Sequence, residues 1–443
     1  MKIGLIGSGG REHAMALALM RNPQRDRLFV YASHINPGIA AVTGEVRMGK
    51  MDDVASILEY FNDVQPDLIV IGPEAPLIAG AVDQLRKAGF PTLGPTQAQS
   101  QLEGDKSFMR DLLKRRVGYG SPAWQVVTSA DDARSFIEKV GEVAVKPLGL
   151  TGGKGVRVMG VHLHSLQEAV DDAAHWIKKD GSVLLEERLV GEEFSRIVLT
   201  SDGKTAPMPV AQDFKYAYDG DQGNMTGGMG AYTMADGSMP FLTAGDLNKA
   251  DRLMQDVIEA LSEETGEPYR GFLYGQFMVT RKGIYIIEFN VRLGDPEGIN
   301  EMTLVDCDLP QVFLAAAQGK LAPEALRFAA RSSVCKYLVP ADYPDNSPDP
   351  QFFHLDQNAV EQAGFSLSPA SVAKEGGRWK TLGSRTIAVI GLGETPGEVS
   401  AKIETLLAQV QPPELRHRKD VGDEQIVQQK VERMAKIRAG ENL

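Results

Sequence analysis

The stretch YIIEFNVRLGDPE, residues 285–297, sets Glu288, Asn290 and Arg292 two apart, with apolar Phe289 and Val291 between them. Side chains alternate along a strand, so the carboxylate, the amide and the guanidinium share one face. A carboxylate and an amide oxygen suit a hard divalent cation, Mg2+ or Mn2+, which keeps water and phosphate oxygens as its other ligands. Gln276, in the preceding strand of the hairpin LYGQFMVTRKGIYIIEFN, is expected to add its amide oxygen to that face. Arg292 can hold an anionic substrate group beside the metal, and Gly294, Asp295, Pro296 and Glu297 add polar, turn-forming groups. An edge strand with a solvated face is the alternative.

Three further stretches suit phosphate chemistry. VAVKPLGLTGGKGVRV, residues 143–158, reads strand, glycine-rich loop, strand. Lys146 and Lys154 can reach phosphates there, while Gly149, Gly152, Gly153 and Gly155 leave their amides open. It lacks the order of a helix-capping phosphate loop, because Gly155 follows the lysine; a lid hairpin fits better, and an ordinary glycine hairpin with a solvated lysine is the alternative. SVLLEERLVGEEFS, residues 182–195, is an apolar strand ending in acids, suited to a hinge that reads a purine edge and ribose hydroxyls, or else a solvated acidic turn. Gly7–Gly10 follows the first strand; its amides and Arg11 can hold a phosphate, with the Asn36-Pro37-Gly38 turn on the same rim. A dinucleotide site is disfavoured: Glu12 replaces the third glycine of that fingerprint, and the second strand ends in Ala32-Ser33-His34 rather than an acid.

The elements that must position these groups are legible in outline. In the first hundred residues KIGLIG, LFVYAS, DLIVIG and PTLG alternate with helical stretches from about Arg11, Asp52 and Ala79, which predicts an open parallel α/β sheet. Ligands sit beyond the carboxyl ends of such strands, where Gly7–His13, Ser33–Gly38 and Gly72–Leu77 fall. A helix over Lys106–Arg116 leads into a second α/β section that runs to about Gln318, followed by strands and Pro-rich loops and a helix near Asp423–Arg438. On that helix Ile426, Val427, Val431, Met434 and Ile437 share a face that reads as docked packing. The expected division is 1–103, 104–320 with a mobile lid lobe over about 122–190, and a smaller β-rich domain over 321–443.

Length and composition narrow the class. With 443 residues the chain can bury several cores, and its net charge of −12 argues against nonspecific binding to nucleic acid or anionic membrane. Cys307 and Cys335 are too few for a disulfide framework or a cysteine zinc site. No signal pattern or spanning apolar run is evident, so the expectation is a cytoplasmic protein. The histidines, His13 included, lack metal spacing and read as structural.

A lysine-bearing glycine lid, an acidic hinge strand and an E-F-N strand, in this order, resemble the ATP-grasp fold. GSGGREH (7–13), GPEAPL (72–77), LEGDKSF (102–108), QDFK (212–215), DGDQGNMTGGMGAY (219–232) and EFNVRLGDPE (288–297) are similar to segments of the glycinamide ribonucleotide synthetase family, with weaker likeness in LGSRTIAVIGLGET (382–395) and LRHRKDVG (415–422). The resemblance implies an α/β and α+β multidomain ligase of purine biosynthesis: an N-terminal parallel sheet, a two-lobed ATP-grasp region and a smaller C-terminal β-rich domain. It implies ATP, Mg2+ or Mn2+, glycine and 5-phosphoribosylamine as ligands, no nucleic-acid or membrane partner, and a monomer or weak homodimer. By the same resemblance Lys106, Lys146, Lys154, Gly152, Gly153 and Gly155 lie near ATP phosphates, Glu186, Glu187 and Leu189 at the adenine, and Glu193 at the ribose. The resemblance puts Glu288 and Asn290 on the metal, to which the hairpin reading adds Gln276. Gly9, Gly10, Arg11, Glu12, Asn36, Glu74, Asp213, Lys215, Arg292 and Asp295 face the other substrates, and Arg292, Asp295 and Lys154 assist the chemistry. The chain departs from the family pattern at Pro147, Leu148, Thr151 and Gly152, at Val291, Leu293 and Gly298, and at Gln276, where many relatives carry an apolar residue. An ATP-grasp enzyme that phosphorylates bicarbonate or formate, a nucleotide-binding regulator without catalysis, and an NAD oxidoreductase are the competing readings.

Overall fold

The computed structural model describes residues 1–149, 155–344 and 349–441. Its N-terminal part is a parallel sheet in the order Glu45–Met48, Arg27–Ala32, Lys2–Ile6, Leu68–Ile71, Thr92–Leu93. Leu68–Ile71 is buried throughout and Lys2–Ile6 all but at its first residue, as expected of strands covered on both faces. The strand order reverses at Lys2–Ile6, so the crevice beyond its carboxyl end, at Gly7–Gly10, is a topological switch point.

Where a lid lobe is expected there is a separate antiparallel sheet, Trp124–Val127, Val183–Glu187, Val143–Lys146 and Arg157–Val158, backed by helices Ala130–Val140 and Leu166–Asp180. Val127, Phe136, Ile137, Val145, Val170 and Leu185 form its own apolar cluster, so the lobe is held by contacts independent of the rest of the core. It joins the central sheet through Arg188–Val190, a short non-strand connection.

The central antiparallel sheet runs Gly283–Asn290, Arg270–Thr280, Gly191–Ser201, Ala211–Asp213, Gly230–Thr233, Ser332–Pro340, Ile387–Gly393, Ser366–Pro369. Helix Ala244–Thr265 packs on it with Leu253, Met254, Val257, Ile258 and Leu261 inward. The C-terminal β-rich part is thus continuous with the ATP-grasp sheet, because Gly230–Thr233 pairs directly with Ser332–Pro340. The final helix, Glu424–Ala439, buries Met434 and Ile437 and packs Ile426, Val427 and Val431 against the core, while Arg433 donates to the Gly191 carbonyl at the start of its strand. Among the described residues no helix is long and apolar enough to cross a membrane.

Candidate active site

The N-terminal turn is built around Glu12. Gly9 caps helix Gly10–Leu19; its amide donates to Glu12 Oε2 at 2.6 Å, and Arg11 Nε donates to Oε1 at 2.6 Å. Gly7 has φ of +132°, and a Cβ there would lie 2.5 Å from Glu12 Cγ, so the glycine serves both the turn and the close approach. Arg11 turns its Nη1 onto the Leu293 carbonyl at 2.8 Å, tying this turn to the LGDPE segment. A Cβ on Gly9 would be 3.9 Å from Asp295 Oδ2, and one on Gly10 would strike Tyr337 Oη.

Two of the expected substrate residues are bonded to the protein itself. Glu12 spends both oxygens inside the turn, and Asn36 is a fully bonded helix cap. Its Oδ1 accepts from the Gly38 and Ile39 amides, and its Nδ2 donates to the carbonyls of Ser8 and Pro369 at 2.9 and 2.7 Å. The Gly38 amide is therefore not free for phosphate. The rim instead seats the C-terminal part: His34 Nε2 lies 3.0 Å from the Ala370 carbonyl, and His13 Nδ1 lies 3.0 Å from Ser368 Oγ. Burial pushes His13 down to about 4, so it stays neutral and structural, as its lack of metal spacing suggested.

Arg292 reaches Glu103 at 3.0 Å, Glu74 at 3.5 Å and the Asn290 amide oxygen at 3.2 Å. Burial alone would lower its basicity, but the two carboxylates raise it, so the guanidinium is held charged. Glu74 is the partly exposed member of the trio, and Glu103 is fully enclosed. Asp295 accepts from Tyr337 Oη at 2.7 Å and pairs with Arg385 at 3.2 Å; Arg385 also donates to the carbonyls of Gly227, Gly228 and Asp295. Burial raises the Asp295 pKa, and Arg385, Arg11 and Tyr337 outweigh it.

On the hairpin, Gln276 pairs with Glu288 and Tyr274 with Asn290, with an irregularity between Gln276 and Phe277, so all four side chains lie on one face. Ser195, paired with Gln276 from the other side, joins them. Gln276 differs from expectation at atomic level. Its Oε1 accepts from Ser195 Oγ and Tyr274 Oη, and its Nε2 donates to Glu193 at 2.9 Å and Asp213 at 3.3 Å. The nitrogen faces the neighbouring carboxylates, and the oxygen is taken up by two hydroxyls of its own face. Lys215 binds Glu193 at 2.8 Å and lies 3.9 Å from Asp213. Burial pushes Asp213 up to about 7, against the pull of Lys215 and with Glu297 and Glu193 adding to it. Glu288 stands apart: it is half-buried and, among the described residues, makes no side-chain hydrogen bond or ion pair, although its charge acts on Lys106 and Lys215. Among the described residues no group of three or more His, Cys, Asp or Glu side chains is placed to hold a metal. The Glu288 carboxylate and Asn290 amide oxygen nevertheless fit a hard cation that completes its shell with phosphate and water.

The nucleotide side collects lysines. Lys106 opens helix Lys106–Leu112 and donates to the Gly149 carbonyl at 2.9 Å; burial lowers its pKa against the raising effect of Glu288. Lys146, at the end of its strand, binds Glu186 Oε2 at 2.6 Å. Arg110 grips the same carboxylate through Nε and Nη2 at 2.6 and 2.9 Å. Glu186, expected at the adenine, is the charge partner of Arg110 and Lys146 here: burial would raise its pKa, yet the two cations hold it at about 2. Glu187 and Leu189 remain at the connection to Gly191, and Glu193 lies beyond it with Oε2 on Lys215 and Gln276. Gly155 has φ of +92° and backs onto the Trp176 ring. Gly152, Gly153 and Lys154 lie outside the described residues.

Sequence reasoning passed over Glu103, Arg110, Tyr337 and Arg385. Arg110 carried a signal, since it lies one helical turn after Lys106, and Arg385 falls inside the LGSRTIAVIGLGET likeness. Tyr337 had none; its place emerges only when Ser332–Pro340 enters the central sheet.

Comparison with known proteins agrees with this arrangement. The Phosphoribosylglycinamide synthetase family matches by its N domain at residues 1–103, its ATP-grasp (A) domain at 104–298 and its C domain at 333–424. A phosphoribosylamine–glycine ligase of Methanosarcina acetivorans is 41% identical over 440 residues, 99% of this chain and 98% of the relative. One from Methanocella arvoryzae is 39% identical over 438 residues, 99% of this chain and 100% of the relative. The crystal structure of a phosphoribosylamine–glycine ligase from Thermotoga maritima superposes with a TM-score of 0.78 at 26% identity, covering 95% of this chain and 100% of that one. A biotin carboxylase from Campylobacter jejuni, at 13% identity and a TM-score of 0.70 over 98% of this chain and 95% of that one, shares the fold alone. With each of the family's three domains matched in order and relatives near 40% identical along its length, the chain belongs to the phosphoribosylglycinamide synthetase family.

Proposed function

We propose that the chain joins glycine to 5-phosphoribosylamine at the expense of ATP, giving glycinamide ribonucleotide, ADP and phosphate, a step of purine biosynthesis. The observation that carries the site reading is Glu288: an acid without a side-chain partner among the described residues, on one face with Asn290, in the field of Lys106 and Lys215. A half-buried carboxylate so placed keeps its acceptors open to a cation that brings phosphate and water with it.

The glycine carboxylate attacks the γ-phosphate of ATP, and the amine of phosphoribosylamine then captures the glycyl phosphate and expels inorganic phosphate. Mg2+ or Mn2+ held by Glu288 and Asn290 would screen the charge between phosphate and carboxylate. Lys106 and Lys146 stabilise the phosphates, and Lys154 adds its charge to theirs. Glu187 and Leu189 lie at the adenine, and Glu193 at the ribose. Gly9, Gly10 and Arg11 form the sugar-phosphate end, next to Asp295, while Glu74, Asp213, Lys215 and Arg292 bound the space where glycine and the amine meet. No covalent enzyme intermediate is needed; positioning and charge supply the rate.

ADP release measured with each substrate omitted in turn tests this reading. It is expected only when glycine and phosphoribosylamine are both present, with mass detection of glycinamide ribonucleotide. Alanine should be a poor substitute, since one methyl group in a fitted pocket discriminates by about 1–3 kcal/mol. ADP release driven by bicarbonate or formate would favour the other ATP-grasp chemistry.

A further inference from the structure

We propose that Arg110 sets the charge of the phosphate pocket: by neutralising Glu186 from behind, it leaves Lys146 as a net positive group for the nucleotide. This rests on the reading of Lys146 as a phosphate ligand. Arg110 is fully enclosed, one turn after Lys106 on the same helix. Its fork covers both oxygens of Glu186, whose Oε2 also takes Lys146 Nζ at 2.6 Å. One carboxylate thus serves two cations, and the trio carries a single positive charge where little water screens it.

The remaining Arg110 donors are used on the metal strand. Nη1 reaches the Ile286 carbonyl at 3.1 Å and Ser121 Oγ at 3.3 Å, and Nη2 reaches the Ile287 carbonyl at 2.8 Å. Ile287 is the residue that the hairpin register skips, immediately before Glu288. One side chain therefore ties the lid-strand lysine, the hinge acid and the strand that presents Glu288. Without it, Lys146 and Glu186 would form a neutral pair, which offers phosphate a dipole in place of a charge. A lysine at this position would keep the charge and lose the fork. Arg110 touches no nucleotide atom in this account; it is a positioning residue that acts through Glu186.

The test is calorimetric affinity of the full chain for a non-hydrolysable ATP analogue with Mg2+, with thermal melts run on each variant. Arg110→Gln should bind at least tenfold more weakly, and Arg110→Lys within about threefold of the parent. The decisive variant is Arg110→Gln with Glu186→Gln: it removes one charge of each sign, keeps the positive sum on Lys146, and should recover affinity to within about threefold of the parent. A purely structural role predicts no such recovery. If Arg110→Gln alone fails to fold, the double variant decides, because it removes the Glu186 carboxylate together with the cation that neutralised it and leaves Lys146 charged; a folded double variant that binds tenfold more weakly than the parent would overturn the proposal, as would parent-like affinity in Arg110→Gln. Lys146→Met separates the two levels. Parent-like binding in that variant contradicts the phosphate reading itself, whereas weak binding there with normal binding in Arg110→Gln contradicts only the role given to Arg110.

Discussion

The N-terminal turn and the central hairpin both carry acids and amides of the types that hold ligands, and the fold uses them differently. At the turn, Glu12 and Asn36 have every polar atom bonded to the protein, and the rim around them holds the Ser368–Ala370 segment. On the hairpin, Gln276 has both its polar atoms bonded as well, while Glu288 beside it has no side-chain partner among the described residues. Asn36 and Gln276, with every side-chain donor and acceptor taken, shape their surroundings, while Glu288 keeps its acceptors open to a ligand.

The largest effect expected from this contrast is at Glu288. Glu288→Gln keeps the shape and removes the anion, and should cut kcat by about a thousandfold, or about 4 kcal/mol, with an unchanged melting temperature. Magnesium titration of activity and a thermal melt check it together; a large drop in stability would mean that the carboxylate is bonded after all.

The opposite behaviour is expected at His13. Its folded pKa lies below the ordinary 6.5 of the free side chain, so the unfolded chain takes up the proton first. Stability present above pH 6.5 should fall as pH drops from 6.5 towards 4, by an amount on the order of 3 kcal/mol. Urea unfolding across that range, compared with His13→Gln, isolates the contribution: the variant should show a flatter dependence.

Asn36→Ala should cost about 2 kcal/mol of stability through the lost cap and the stranded carbonyls of Ser8 and Pro369. The affinity for an ATP analogue should stay within twofold. A selective loss of phosphoribosylamine binding without loss of stability would return Asn36 to the ligand set. At the small end lies the exposed Arg25–Asp308 pair, which also joins the N-terminal part to a later helix. Arg25→Ala should leave the urea unfolding midpoint close to that of the parent, because solvent screens the pair.

Much of this was legible in the sequence, for physical reasons that also mark where reading stopped. Continuous apolar runs such as LIVI announce the buried parallel strands, and alternation in YIIEFN places Glu288 and Asn290 on one face. Which way Gln276 turns its amide depends on Ser195, Tyr274, Glu193 and Asp213, contributed by three strands. The partnership of Glu186 with Arg110 and Lys146 likewise joins a helix to two strands, so no local pattern reveals it. The docking of Ser368–Ala370 onto the N-terminal rim spans more than 300 positions and turned an expected phosphate turn into an interface.

The account is tested most directly by following oxygen. With glycine labelled by 18O in both carboxylate oxygens, turnover with ATP and phosphoribosylamine should place one label in the released phosphate and leave one in the amide of the product, as attack of the carboxylate on the γ-phosphate requires. Phosphate without label would contradict a glycyl phosphate and, with it, the chemistry assigned to this site.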